Sequence, residues 1–87
     1  MKTYKLTVAT PDGNAFDGEV VMLTVRGVAG ELAVMAGHIP FVTAIKPCDC
    51  KIELEDGEDK IAHVDGGLLT VSTDGVTLLA GSFAWAE

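Results

Sequence analysis

The chain has 87 residues, 48% of them hydrophobic and 22% charged, with a formal charge of −7. That size allows one domain, residues 1–87, with a thin core, and the composition is too apolar for a disordered chain. Six scattered Lys and Arg residues exclude a nucleic-acid partner, which needs clustered cations. The charge of −7 favours instead a protein partner with a surface of basic character. No apolar run approaches the ~18 residues of a membrane span, and Met1 to Leu6 lead into an alternating segment with no secretory core. A soluble cytosolic chain is expected, touching a membrane only through a partner.

Taken in order, the segments alternate. Tyr4, Leu6 and Val8 share one face, with Lys5, Thr7 and Ala9 on the other. Val21, Leu23 and Val25 oppose Val20, Met22 and Thr24, a strand partly buried on both sides. Ile52 and Leu54 alternate with Lys51, Glu53 and Glu55, and Leu69, Val71, Val76, Leu78 and Ala80 form a late hairpin around Asp74-Gly75. Five Asp-Gly pairs, beginning at residues 12, 17, 56, 65 and 74, are read as turns, because both central positions of a two-residue hairpin loop favour residues that tolerate positive φ. Gly66-Gly67 is read as a turn too, and Lys46-Pro47 as the close of an extended run. No window holds the 3.6-residue period of a helix. The expected fold is all-β, a small two-sheet sandwich of eight to ten short strands.

Chemistry-bearing groups are sparse. His38, His63 and several acids make a nucleophilic triad conceivable, but no local signature supports it. His38, Cys48, Cys50 and His63 are zinc-competent, yet structural zinc ligands come as closely spaced pairs, and these do not. No metal site or cofactor is expected. Cys48 and Cys50, two apart on one strand face, are expected as reduced thiols. A carrier domain with lipoyl or biotinyl on Lys60 is the alternative, since Asp59-Lys60 follows a Gly turn in an acidic hairpin.

The stretch from Gly30 to Pro47 is the most distinctive. Gly37 can take the positive φ that ends a strand, and Pro40 holds Ile39 extended, so His38 is displayed at the tip of a tight connection. Gly30, Glu31, Leu32, Gly37, His38 and Pro40 form a Gly-Glu-Leu-x-x-x-x-Gly-His-x-Pro pattern that resembles the epsilon subunit of the rotary ATP synthase. Leu6 to Gly13, Phe16 to Val20, Val64 to Val71 and Val76 to Ala80 resemble the same family in the same order. Cys48 departs from it, standing where the family usually has Gly after Lys-Pro.

The resemblance implies a non-catalytic central-stalk subunit of a bacterial-type or chloroplast-type ATP synthase. Such a subunit joins the gamma subunit to the membrane c ring and couples ion-driven rotation to ATP synthesis. It implies a peripheral place on the cytoplasmic or stromal face of the membrane, and a monomer when isolated. The contact candidates are Glu31, Met35, Gly37, His38, Ile39 and Pro40, with Thr10, Asp12, Leu32 and Val34 as weaker ones. Most bacterial members continue into two C-terminal helices that can inhibit hydrolysis. This chain stops at Trp85-Ala86-Glu87, either naturally short or truncated, and is expected to lack that inhibition and tight ATP binding.

Overall fold

Alternation sets the architecture. In the computed structural model, which describes residues 2–37 and 39–86, eight strands form and no helix does. They are β1 (Tyr4–Thr10), β2 (Gly13–Val20), β3 (Met22–Gly27), β4 (Gly30–Met35), β5 (Phe41–Glu53), β6 (Asp59–Ser72), β7 (Gly75–Ala80) and β8 (Phe83–Trp85).

The hydrogen-bonded order is β2-β1-β7-β6-β5-β3-β4, with β8 added to β6. The ladder is therefore one continuous sheet folded over its own core. Two strands make this possible, and they are not short. β5 has 13 residues and β6 has 14, and both serve both layers. Residues 67–72 of β6 pair β7, while 62–64 pair β8. Pro47 faces Asp65 where the two strands bend, next to Gly66 with its φ of 85°.

That bend corrects two sequence expectations. Lys46-Pro47 does not close a run, and Gly66-Gly67 is no hairpin; both lie inside long strands. Proline is tolerated there because an irregular strand position needs no amide donor. Gly67 is required because a Cβ would sit 2.0 Å from the Leu79 carbonyl oxygen.

The Asp-Gly pairs are also placed differently. The loop residues are Pro11-Asp12 and Thr73-Asp74, and Gly13 and Gly75 follow them as the first residues of the returning strands. No described non-glycine residue has a positive φ, so Asp stays on the ordinary side and the glycine takes the reversal. The residue before each loop reinforces it. The Thr10 and Ser72 hydroxyls donate to the Gly13 and Gly75 carbonyls, each at 3.0 Å. Asp17-Gly18 is not a turn but lies within β2.

The core follows the predicted phases. Leu6, Val8, Leu69, Val71, Val76 and Leu78 from one layer meet Leu23, Val25, Val34, Cys50, Ile52 and Val64 from the other. No polar or charged side chain is buried among the described residues. Two contacts close the layers at their margins. Tyr4 in β1 donates a hydrogen bond to Val34 in β4, and Phe16 in β2 meets Trp85 in β8 edge-to-face, their centroids 5.9 Å apart.

Candidate functional site

β4 ends at Met35 and β5 begins at Phe41, and the main sequence candidates lie at and just after the end of β4. Gly37 has a φ of 87°, the reversal expected of it, and nothing crowds its Cα. Ile39 is 80% exposed and Met35 56%, an unusual display for two large apolar side chains. Pro40 is exposed beside them. His38 lies outside the described residues.

The register separates the other candidates from this group. Met35 pairs with Met22 at one end of β4, whereas Glu31 pairs with Arg26 at the other, beside the Gly27–Gly30 hairpin. Four residues of strand put about 13 Å between them. Thr10 and Asp12 lie at the far end of β1 from Tyr4, and Tyr4 touches Val34 near the Met35 end. Glu31, Thr10 and Asp12 thus form an end of their own. It is exposed at Glu31 and Asp12, and the Asp12 amide donates to the Thr10 hydroxyl at 3.3 Å. Leu32 is half-buried against the core, and Val34 is 1% exposed inside it, so the Val34 side chain cannot serve a surface contact.

Between β1, the end of β4 and the β6–β7 turn lies an open groove of about 460 Å³, with Lys5, Glu19, Gly37 and Asp74 on its walls. Lys5 is engaged with Asp17 at 3.1 Å, and Glu19 accepts from Thr3 at 2.8 Å.

The zinc-competent groups are not gathered. Cys50 is wholly buried beneath the sheet, whereas His63 is exposed on its outer surface and paired with Asp49. Among the described residues, no group of three or more His, Cys, Asp and Glu side chains is placed to hold a metal ion. Burial first, and the neighbouring Cys48 second, push the Cys50 thiol up to about 11. Burial likewise pushes the Tyr4 hydroxyl well above its ordinary range. These are core groups held neutral, not activated ones. Lys60 lies within β6 rather than at a hairpin tip, with its Nζ 5.6 Å from the Trp85 ring centroid.

Sequence reasoning missed three exposed apolar side chains, Val42, Leu68 and Leu79, on the outer face of one layer. Their signal was present as apolar residues at the alternate positions of strands whose other face is already core.

The family model for the beta-sandwich domain of the ATP synthase delta/epsilon chain matches residues 3–86. The chain belongs to that family. The ATP synthase epsilon chains of Bacillus velezensis and Bacillus licheniformis are each 40% identical to it over 87 residues. All of this chain is covered in both comparisons, against 65% and 66% of those relatives, so it spans about two-thirds of their length. The fold superposes with a TM-score of 0.90 on a chain of the Euglena gracilis mitochondrial ATP synthase, solved as OSCP/F1/c-ring. That match has 26% identity and covers 95% of this chain and 53% of that one. A chain of the Tetrahymena thermophila mitochondrial ATP synthase central stalk and c ring shares the fold, with a TM-score of 0.77 and 16% identity. It covers 94% of this chain and 66% of that one. The epsilon family, rather than a carrier domain, accounts for the sequence and the fold.

Proposed function

We propose that this chain is the β-sandwich part of a central-stalk subunit of an ATP synthase, joining the gamma subunit to the c ring. In that role it transmits ion-driven rotation and does no chemistry itself. The observation that carries the reading is the family match across residues 3–86, together with the alignment of the whole of this chain to part of the epsilon chains. The character of the surface supports it. Burial holds Tyr4 and Cys50 neutral as members of the core, and the exposed features fit contact. Met35, Gly37, Ile39 and Pro40 display apolar surface at one end, and Glu31, Thr10 and Asp12 display polar surface at the other. A body with two unlike ends suits a coupling between two unlike partners. The complex holds it at the cytoplasmic or stromal face of the membrane as a peripheral component.

The test is assembly. The chain is added to an ATP synthase stripped of its own epsilon chain, which is then repurified in detergent. Stoichiometric retention with gamma and the c ring is expected. Recovery of gamma and ring without the chain contradicts the reading.

A further inference from the structure

The sequence carries Asp-Gly five times, and that pair has a chemistry as well as a conformation. Glycine has no side chain to shield its nitrogen, so the Gly amide can attack the Cγ of the aspartate before it. The N–Cγ bond forms, the carboxylic OH leaves with the amide proton as water, and a five-membered succinimide results. Water then opens the ring. Opening at the side-chain carbonyl restores aspartate, and opening at the main-chain carbonyl leaves isoaspartate, with the backbone now running through Cβ and Cγ. The water lost in the first step returns in the second, so the change is an isomerisation that needs no oxidant or other co-reactant. Closure has a strict geometric demand. The Gly nitrogen has to swing to the side of the Asp Cα–C bond that carries Cβ, whereas a strand holds ψ near about +135°. A paired aspartate therefore closes only after its ladder has opened.

The fold sorts the five pairs by that demand. Asp17 and Gly18 face Thr7 and Leu6 across the β1–β2 ladder, and Lys5 holds Asp17 at 3.1 Å. Asp65 and Gly66 lie inside β6, where the Asp65 amide donates to the Ser82 carbonyl at 3.3 Å and the Gly81 amide donates to the Gly66 carbonyl at 3.4 Å. Asp12 and Asp74 stand in loops, but the glycine after each is already paired, Gly13 with Thr10 and Gly75 with Ser72.

Asp56-Gly57 is tied differently. β5 ends at Glu53 and β6 begins at Asp59, and both residues lie between them, exposed and outside any strand. Gly57 has a φ of 90°, and nothing stands within 4 Å of where its Cβ would be. The Asp56 Oδ1 accepts from the Glu58 amide at 2.8 Å, which turns the carboxyl group forward along the chain, towards the nitrogen that attacks it. The Gly57 amide donates to the Leu54 carbonyl at 3.0 Å, a bond of the loop itself, and its loss opens no ladder.

We propose that Asp56 is the site at which the folded chain converts to isoaspartate, through a succinimide closed by the Gly57 nitrogen. Isoaspartate keeps one carboxylate, so the net charge is unchanged. The extra main-chain methylene falls in the loop, and the sandwich around it persists. The product is a substrate for the class of methyltransferase that esterifies isoaspartyl carboxylates with S-adenosylmethionine.

The experiment ages the purified chain at neutral pH, once folded and once in concentrated guanidinium. Trypsin then releases residues 52–60 as a peptide with a single Asp-Gly, while Asp12 and Asp17 share one peptide and Asp65 and Asp74 another. Electron-transfer fragmentation locates isoaspartate in each, and methyl transfer from S-adenosylmethionine by an isoaspartyl methyltransferase measures the total. In the folded chain Asp56 is expected to isomerise roughly tenfold faster than any other Asp-Gly, because the others must first break paired backbone bonds. In guanidinium the five rates are expected to fall within about threefold of one another, the ladders being gone. Asp56→Glu, which would have to close a six-membered ring, is expected to remove most methyl acceptance from the folded chain at an unchanged circular-dichroism spectrum. Isomerisation at Asp12 or Asp74 as fast as at Asp56 in the folded chain overturns the proposal, and so does protection of Asp56 as strong as that of Asp17 and Asp65.

Discussion

The Tyr4 hydroxyl donates a 2.7 Å hydrogen bond to the carbonyl of Val34, thirty residues away. Tyr4 opens β1 in one layer and Val34 lies near the end of β4 in the other, so one bond ties the layers where the β4–β5 loop leaves the sheet. The bond is buried, and its loss leaves a polar carbonyl beneath apolar neighbours. Tyr4→Phe is therefore expected to cost about 1–2 kcal/mol, read as a lowered denaturant midpoint at unchanged m-value. An unchanged midpoint would show that water takes over the carbonyl.

Gly67 tests the fold more severely. A methyl group there would overlap the Leu79 carbonyl at 2.0 Å, and backbone paired within β7 cannot move aside cheaply. Gly67→Ala is expected to destabilise by about 3 kcal/mol or more, whereas Gly18→Ala meets only the Phe16 ring at 3.5 Å and is tolerated. Urea titrations of the two variants give the comparison. Similar midpoints would contradict the close β6–β7 approach.

Part of this was legible in the residues themselves. Tyr4, Leu6 and Val8 alternate cleanly with polar neighbours, and their burial follows. The hairpin between Val71 and Val76 was visible for the same reason, although its loop is Thr73-Asp74 rather than Asp74-Gly75. Pro47 and Gly66-Gly67 were harder. Proline and paired glycines announce a break in regular structure, but a turn and a mid-strand bend use the same residues. What separates them here is that Pro47 faces Asp65 across the ladder, and no local pattern records that pairing. The candidate site divides the same way. Gly37 takes its expected reversal. Periodicity marks Leu68 and Leu79 as apolar on the second face of their strands, yet it cannot say whether that face meets the same chain or another. The loss of Val34 to the core follows from its phase opposite Leu23.

Alkaline pH provides a third test. Cys50 is pushed up to about 11 in the folded chain, against an ordinary thiol value near 9, and Tyr4 is raised as well. Unfolded chains release these protons first as pH rises. The stability that depends on keeping both groups neutral is thus complete below about pH 9 and declines above it. Thermal melts are expected to be flat in this respect from pH 7 to 8.5 and to fall between pH 9 and 11. Cys50→Ala should lessen that fall. The native protein should take up one equivalent of alkylating reagent at half-buried Cys48, and the second, at Cys50, only on unfolding.

The two ends of β4 offer a fourth. Glu31 and Met35 lie at opposite ends of one strand, so substitutions at the two ends probe different contacts of the proposed assembly. Glu31→Lys is expected to weaken attachment to the c ring, most visibly at low salt where charge is least screened, while leaving gamma binding unchanged. Ile39→Asp is expected to do the reverse, since it places a charge beside the apolar surface exposed at the Met35 end. Separate titrations with gamma and with detergent-solubilised ring distinguish the two. Equal loss of both contacts in both variants would mean the ends do not act independently.

On the proposed function, the chain couples rotation to synthesis through contacts alone. The most direct measurement is ion-driven ATP synthesis by membrane vesicles whose ATP synthase lacks its epsilon chain, with and without this protein. Restored synthesis is predicted, in proportion to the amount of chain bound to the complex. Chain that binds stoichiometrically yet leaves the vesicles unable to synthesise ATP, or that never binds, would contradict it.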